Sequence, residues 1–229
     1  MTQFYVLTRI DFKEKSKEPD NEFCADDPVH QGKVTGNCPQ CNTGGLYDWL
    51  PPYSLEISVY RCSAFADAMF GTTLMILVNE NFKNSYERTD LKGLTFRGKV
   101  TVTKVKCLWG ARKKSLPPLP NFYLTEAERG TTAIDHEKSG SVFELNGEPE
   151  CHYCRYGNIM RIQRLVVDES TWDGRDIFQI NGTGRIVVTQ KFKDWFDSHH
   201  FAGLRLIPAE EFSFDLYWGL TPEEYAKKT

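Results

Sequence analysis

The sequence predicts an α+β fold in which mostly antiparallel strands are combined with short helices, and in which two weakly duplicated halves form a single domain, residues 1–229. Three observations support this prediction. Short runs of β-branched and aromatic residues alternate with polar turns, which is typical of strands. A strand–helix–strand pattern occurs twice. A Cys-x-x-Cys pair also occurs twice, once before each copy of that pattern.

The repeated pattern can be aligned residue by residue. Residues 76–83 (ILVNENFK) match residues 186–193 (IVVTQKFK), and residues 92–96 (KGLTF) match residues 202–206 (AGLRL), at a constant separation of 110 positions. With the cysteine pairs included, the duplication covers approximately residues 38–106 and 151–208. The alternative is chance similarity between two ordinary strand–helix–strand segments.

The residues of each copy predict the same local structure. An apolar β-branched run forms a buried strand, and Asn79 or Thr189 follows it at the position that caps the N-terminus of a helix. Gly93 and Gly203 come after the helix, where the backbone needs a positive φ. Neither copy can bury its apolar face alone, so we expect the two halves to pack against each other.

The two cysteine pairs are Cys38 with Cys41 and Cys151 with Cys154, and the pairs are 113 residues apart. A Cys-x-x-Cys turn directs two thiolates at one metal ion, and two such pairs provide the four ligands of a tetrahedral structural zinc. The sequence therefore predicts a Zn²⁺ site with four cysteine ligands that joins the two halves. Such a zinc is architectural and takes no part in a reaction.

Two other interpretations of these cysteines remain open. Each pair could be a redox dithiol or disulfide, although the Asn-Thr-Gly-Gly run after Cys41 is a poor start for the helix that such motifs require. The cysteines could also stay reduced without a metal, and His152 could replace one thiolate ligand. The remaining Cys24, Cys62 and Cys107 are expected to be small buried hydrophobes.

Composition places the chain among ordered globular proteins. Its 229 residues are 40% hydrophobic and 13% aromatic, which is enough to build a packed core. The longest apolar run, Leu74 to Val78, is too short for a secretory signal or a membrane span. Seven cysteines, four of them in metal-type pairs, favour a reducing compartment. We therefore expect a cytoplasmic protein without a membrane partner.

Charge is distributed unevenly along the chain, although the net charge is only −3. Seven basic residues and no acidic residue lie between Arg97 and Lys114, whereas five acidic residues and no basic residue lie between Leu206 and Tyr225. The basic stretch could follow a phosphate backbone, but lysines on the solvent face or edge of a sheet are the favoured explanation. Because the whole chain is not basic, a nucleic-acid partner is not favoured.

Several segments together resemble a known family. They are the paired Cys-x-x-Cys motifs, the start MTQFYVL, and the later runs DIF, IVVTQKF and GLRLIP. They look like the double-CXXCG motif family of myxobacterial paralogues, whose members are regarded as immunity proteins for secreted polymorphic toxins. Asn42 and Arg155 stand where that family has glycine, which leaves the metal ligands in place. The resemblance implies a cytoplasmic protein that neutralises a cognate toxin by binding it.

The residues also support a binding protein over an enzyme. The sequence has no nucleophile elbow, zinc-protease, phosphate-loop or dinucleotide motif, so no catalytic or cofactor-binding residue is predicted. The acidic and aromatic C-terminal segment is the first candidate for the toxin contact. The alternative is that its aromatic residues dock on the protein's own core. The predicted contact residues are Glu211, Asp215, Tyr217, Trp218, Glu223 and Glu224. The alternatives are a zinc-stabilised nucleic-acid-binding or regulatory module and a thiol oxidoreductase.

Overall fold

The computed structural model describes residues 2–9, 20–25, 33–36, 46–60, 64–71, 75–108, 116–143, 159–216, 219, 221 and 224. Its strands are β1 (Phe4–Arg9), β2 (Asp20–Ala25), β3 (Lys33–Gly36), β4 (Leu46–Asp48), β5 (Tyr53–Tyr60), β6 (Ala68–Phe70), β7 (Ile76–Asn79), β8 (Leu94–Leu108), β9 (Phe122–Ala127), β10 (Arg129–Ile134), β11 (Val142–Phe143), β12 (Ile159–Ile162), β13 (Val167–Asp168), β14 (Ile177–Asn181), β15 (Ile186–Thr189), β16 (Leu204–Pro208) and β17 (Phe214–Asp215). The helices of the described part are α1 (Glu80–Tyr86) and α2 (Gln190–Ser198), with short 3-10 turns at Glu169–Thr171 and Ala209–Glu211. The predicted α+β class, with many strands and short helices, is confirmed.

Most of these strands form two six-stranded sheets. The first sheet has the order β2-β5-β8-β9-β7-β6, and the second has the order β13-β10-β14-β15-β1-β16. Neighbouring strands are antiparallel except for the pairs β5–β8 and β10–β14, which are parallel. Smaller sheets are formed by β11-β12-β17 and by β3-β4. The sheets are therefore mixed, with antiparallel pairs in the majority.

The two aligned segments have the same secondary structure. We name β6, β7, α1 and β8 the first unit, and β14, β15, α2 and β16 the second unit. Asn79 caps α1 by accepting a hydrogen bond from the Phe82 amide at 2.9 Å. Thr189 caps α2 in the same way, with the Phe192 amide 3.4 Å from its Oγ1. Because a cap fixes where a helix begins, both helices start at the position that the sequence predicts.

In each unit, the strand before the helix and the strand after it do not pair directly. In the first unit β9 lies between β7 and β8, and it is antiparallel to both. In the second unit β1 lies between β15 and β16, again antiparallel to both. Each unit therefore has a groove between two strands that is filled by a strand from elsewhere in the chain.

The units are joined by a reciprocal set of hydrogen bonds. Asp67 lies before β6, and its Oδ2 accepts from the Ala202 amide of the second unit at 3.0 Å. Asp176 lies before β14, and its Oδ2 accepts from the Lys92 amide of the first unit at 3.0 Å. The Ala202 carbonyl accepts from the amides of residues 67 and 68, and the Lys92 carbonyl accepts from those of residues 176 and 177. The contact is isologous, as at the two-fold axis of a homodimer.

A shared aromatic core lies beneath this contact. Phe82 and Tyr86 of α1 pack with Phe192, Trp195 and Phe201 of the second unit in one cluster of buried residues. The Phe82 and Trp195 rings meet edge to face at 5.0 Å. Two further clusters lie within the first and the second sheet respectively. The packing of α1 and α2 therefore holds the two units together, because neither helix buries its aromatic face without the other.

Candidate protein-binding surface

The predicted zinc ligands Cys38, Cys41, Cys151 and Cys154 lie outside the described residues. Within the described part of the chain, no group of three or more His, Cys, Asp or Glu side chains could hold a metal ion. Cys107, which we expected to be a buried hydrophobe, is a free thiol of intermediate exposure at the end of β8. Strand β8 is half-exposed there, so the prediction of full burial was wrong for this residue.

Only part of the predicted contact segment is described. Tyr217, Trp218 and Glu223 lie outside the described residues, whereas Glu211 is exposed in the second 3-10 turn. Asp215 is half-buried in β17, where its Oδ1 lies 3.1 Å from Nε of Arg161 and its Oδ2 accepts from the Gly219 amide at 2.9 Å. Its carboxylate is therefore engaged within the protein itself.

Glu224 takes part in a local turn. Its amide donates to Oγ1 of Thr221 at 3.2 Å, and its Oε2 accepts from the Thr221 amide at 2.8 Å. This reciprocal pair is the capping box that the Thr-x-x-Glu sequence indicates. The Glu224 carboxylate is therefore directed toward the Thr221 backbone, and the residue is exposed.

The described aromatic residues of the segment dock on the protein's own core. Phe212 and Phe214 are half-buried and pack against the hydrophobic cluster of the second sheet. The Arg185 guanidinium lies 5.5 Å and 5.3 Å from the centres of these two rings. Leu216 is 48% exposed. The rings of Phe212 and Phe214 thus anchor the segment, whereas Glu210 and Glu211 remain exposed.

A cavity of about 400 Å³ opens beside this anchored segment. It is lined by the start of β1, by residues 165–167 before and within β13, and by the second 3-10 turn. Its apolar wall includes Phe4, Leu165 and Ala209, which are almost fully buried. Because its lining comes from three separate parts of the second sheet, the cavity is a product of tertiary packing.

Among the residues that the structure describes, three glutamates line the cavity and no lysine or arginine does. Glu169, Glu210 and Glu211 are exposed, and within the described residues none of them has a salt-bridge partner. The backbone amide of Thr2 lies 3.5 Å from Oε2 of Glu169. We call this feature the acidic groove. An apolar wall beneath several carboxylates can accept the aliphatic stem and the charged end of a lysine or arginine.

Sequence reasoning located Glu211 but missed Glu169. These two glutamates are more than forty residues apart in the chain, and no sequence pattern connects them. A weak signal was available, since Asp168 and Glu169 begin a polar turn after the apolar run at residues 165–167. That signal indicates a turn and does not indicate what the turn lies against.

Three of the four basic residues of β8 form ion pairs with acids. Arg97 forms a salt bridge with Glu126 at 2.7 Å. Lys104 and Lys106 both pair with Glu56 of the neighbouring strand β5. The hydrogen bond from Lys106 is the main reason that the pKa of Glu56 is lowered. These ion pairs cross between strands, as expected for the solvent face of a sheet, so they give no support to a nucleic-acid interface.

Comparison with known proteins adds no assignment. No protein-family model matches the chain, and no curated protein matches it. In the described part of the chain, no helix is both long and apolar enough to cross a membrane. The acidic groove and the sequence motifs are therefore the observations on which a function can be argued.

Proposed function

We propose that the protein is a cytoplasmic immunity protein that binds and neutralises a cognate polymorphic toxin, and that the acidic groove forms part of its contact surface. The observation that carries this proposal is the set of three glutamates, Glu169, Glu210 and Glu211, around an apolar-walled cavity whose described lining contains no basic residue. The resemblance of the cysteine and C-terminal motifs to the double-CXXCG family supports the same function.

The physical argument is one of charge complementarity. An immunity protein needs no chemistry of its own, because it acts by covering the functional surface of one partner. Carboxylates at a contact surface steer a basic partner toward it and raise the association rate. They also pair with Arg or Lys side chains that the partner buries at the interface. A toxin domain with a basic surface is the partner that fits this groove.

The zinc site belongs to the same proposal. A Zn²⁺ held by Cys38, Cys41, Cys151 and Cys154 would link segments that precede the first and the second unit. It would make the relative position of the halves rigid, since metal binding contributes directly to folding free energy. A rigid binding surface keeps the entropic cost of association low.

Co-expression with the product of a toxin gene found adjacent to the gene of this protein tests the function. We expect bacteria that produce this toxin to survive when the chain is present, and the two proteins to co-purify. Survival without any physical complex would contradict neutralisation by binding. Continued killing despite folded chain would contradict the immunity function itself.

Charge reversal tests the surface separately. The variant Glu169→Lys with Glu210→Lys and Glu211→Lys should weaken toxin binding, measured by calorimetry, while leaving the melting temperature nearly unchanged because these side chains are exposed. Glu137→Lys is the matched control, since Glu137 is an exposed glutamate outside the groove. Equal affinity of the triple variant and the control would exclude the groove from the interface.

A further inference from the structure

The strands β1 and β9 occupy equivalent grooves in the two units. Phe4 lies opposite the cap residue Thr189, and Phe122 lies opposite the cap residue Asn79. Along β15 and β7 the match continues at a constant separation of 118 residues. Along β16 and β8 the strand ends also match, with Arg9 opposite Leu204 and Ala127 opposite Leu94, but a bulge between Phe96 and Gly98 shifts the pairing at the start of β9 by one residue. The sequences FYVLTR and FYLTEA therefore share their register along the strand that leads into each helix.

Their side chains make the same contacts. The hydroxyl of Tyr5 donates to Oε1 of Gln190, the first residue of α2. The hydroxyl of Tyr123 donates at 3.2 Å to Oε1 of Glu80, the first residue of α1. In each unit, the ammonium group of the lysine three residues after that first helical residue lies 5.4 to 5.5 Å from the tyrosine ring centre. Each groove is thus adapted to a strand that begins Phe-Tyr and continues with an aliphatic residue.

Chain order shows that these strands are exchanged between the two halves. Strand β1 precedes β2 and β5 to β8, which build the first sheet, yet it lies in the second sheet. Strand β9 precedes β10 and β13 to β16, which build the second sheet, yet it lies in the first. Each half donates its first strand to the other, as protomers do in a strand-exchanged dimer.

We propose that the groove between β15 and β16 is a strand-docking site, and that a second copy of this chain can fill it with its own β1. The pairing partners of β1 would be the same in the second copy as within one chain. The contacts therefore do not distinguish the two arrangements, and the chain concentration during folding decides between them. The exchange already present between the halves shows that this groove type accepts a strand from the other half of the chain.

The central contact of the docking site is apolar and completely buried. Val6 has no exposed surface, and it lies opposite Val187 on one side and Ile207 on the other. Val6→Asp places a carboxylate in β1, so β1 can no longer dock, but the groove between β15 and β16 is unchanged. Val187→Asp places the carboxylate in the groove and leaves β1 unchanged. These two variants can therefore complement each other.

The experiment combines Val6→Asp and Val187→Asp full-length chains that carry different affinity tags. They are unfolded together, refolded near millimolar concentration, where docking in trans competes with docking within one chain, and then analysed by tag capture and size-exclusion chromatography. We expect a mixed dimer from the mixture and no dimer from either variant alone. Gln3→Asp, at an exposed position just before β1, is the control and should dimerise like the wild type.

Tagged and untagged wild-type chains provide the second measurement, which does not depend on whether the aspartate variants fold. We expect co-refolding at high concentration to give mixed dimers, and refolding at about a hundredfold lower concentration to give monomers. The proposal is overturned if the wild-type chains never form mixed dimers. It is also overturned if Val6→Asp alone dimerises as well as the wild type, since the contact would then lie elsewhere.

Discussion

The glycines at the contact between the units provide the sharpest test of the packing. Gly93 has a φ of +104°, and a Cβ built there would lie 2.0 Å from the carbonyl oxygen of Ile177. Gly203 has a φ of +105°, and its Cβ would lie 2.2 Å from the carbonyl oxygen of Ala68. Both clashes involve backbone atoms, so the two units would have to move apart to admit a methyl group.

The expected destabilisation follows from two contributions. A non-glycine residue at this φ costs about 1–3 kcal/mol of backbone strain. Separation of the units also weakens the two hydrogen bonds from Asp176 and Ile177 to the Lys92 carbonyl, at about 1 kcal/mol each. Gly93→Ala should therefore lower the free energy of unfolding by about 3–5 kcal/mol, and Gly203→Ala should do so by a similar amount.

Gly174→Ala is the matched control, because Gly174 also has a positive φ of +83° but no atom lies within 4 Å of the position that its Cβ would take. It should show the backbone cost alone, about 1–3 kcal/mol. Urea unfolding followed by tryptophan fluorescence measures all three variants. Equal losses for Gly93→Ala and Gly174→Ala would refute the close approach of the units.

Three further predictions concern the metal, pH and the helix caps. Purified protein should contain about one equivalent of zinc, and Cys38→Ser or Cys151→Ser should lower the free energy of unfolding by several kcal/mol. The zinc site would be contradicted if the wild-type protein contained no zinc and had the same melting temperature as both variants. Burial raises the pKa of Tyr86 above its unfolded value of about 10, so its contribution to stability is present below pH 10 and is lost as pH rises. Tyr86→Phe should flatten the alkaline decline seen in pH-dependent unfolding. Thr189→Ala should cost about 1–2 kcal/mol in the same urea assay, because it removes the cap of α2, and a change below about 0.5 kcal/mol would argue against that cap.

The exchange of β1 and β9 between the halves also affects the order in which the strands pair during folding. Neither groove is filled by a strand from its own half, so each sheet is completed only when both halves are present. Contacts between residues far apart in sequence slow folding because a long loop must close before they form. The pairing of β1 with β15 and β16 is therefore expected to form late.

Much of the local structure could be predicted from the sequence. Strand, cap and helix in both units follow from a β-branched run, from Asn79 or Thr189, and from aromatic residues at helical spacing. These are short-range effects, in which a residue acts on a backbone within one turn of helix. Gly93 and Gly203 were placed correctly for the same reason, since a positive φ after a helix is a local requirement.

Only the tertiary structure decided which strands fill the grooves. Nothing in FYVLTR or FYLTEA states that β1 joins the second sheet and β9 the first, because each strand begins opposite a helix-capping residue and continues opposite apolar residues. The acidic groove also depends on the tertiary structure, since Glu169 joins Glu210 and Glu211 only when residues 165–169 and the second 3-10 turn lie against the start of β1. Composition and periodicity determine which elements form, whereas long-range pairing is selected by the burial of whole faces, which no local pattern records.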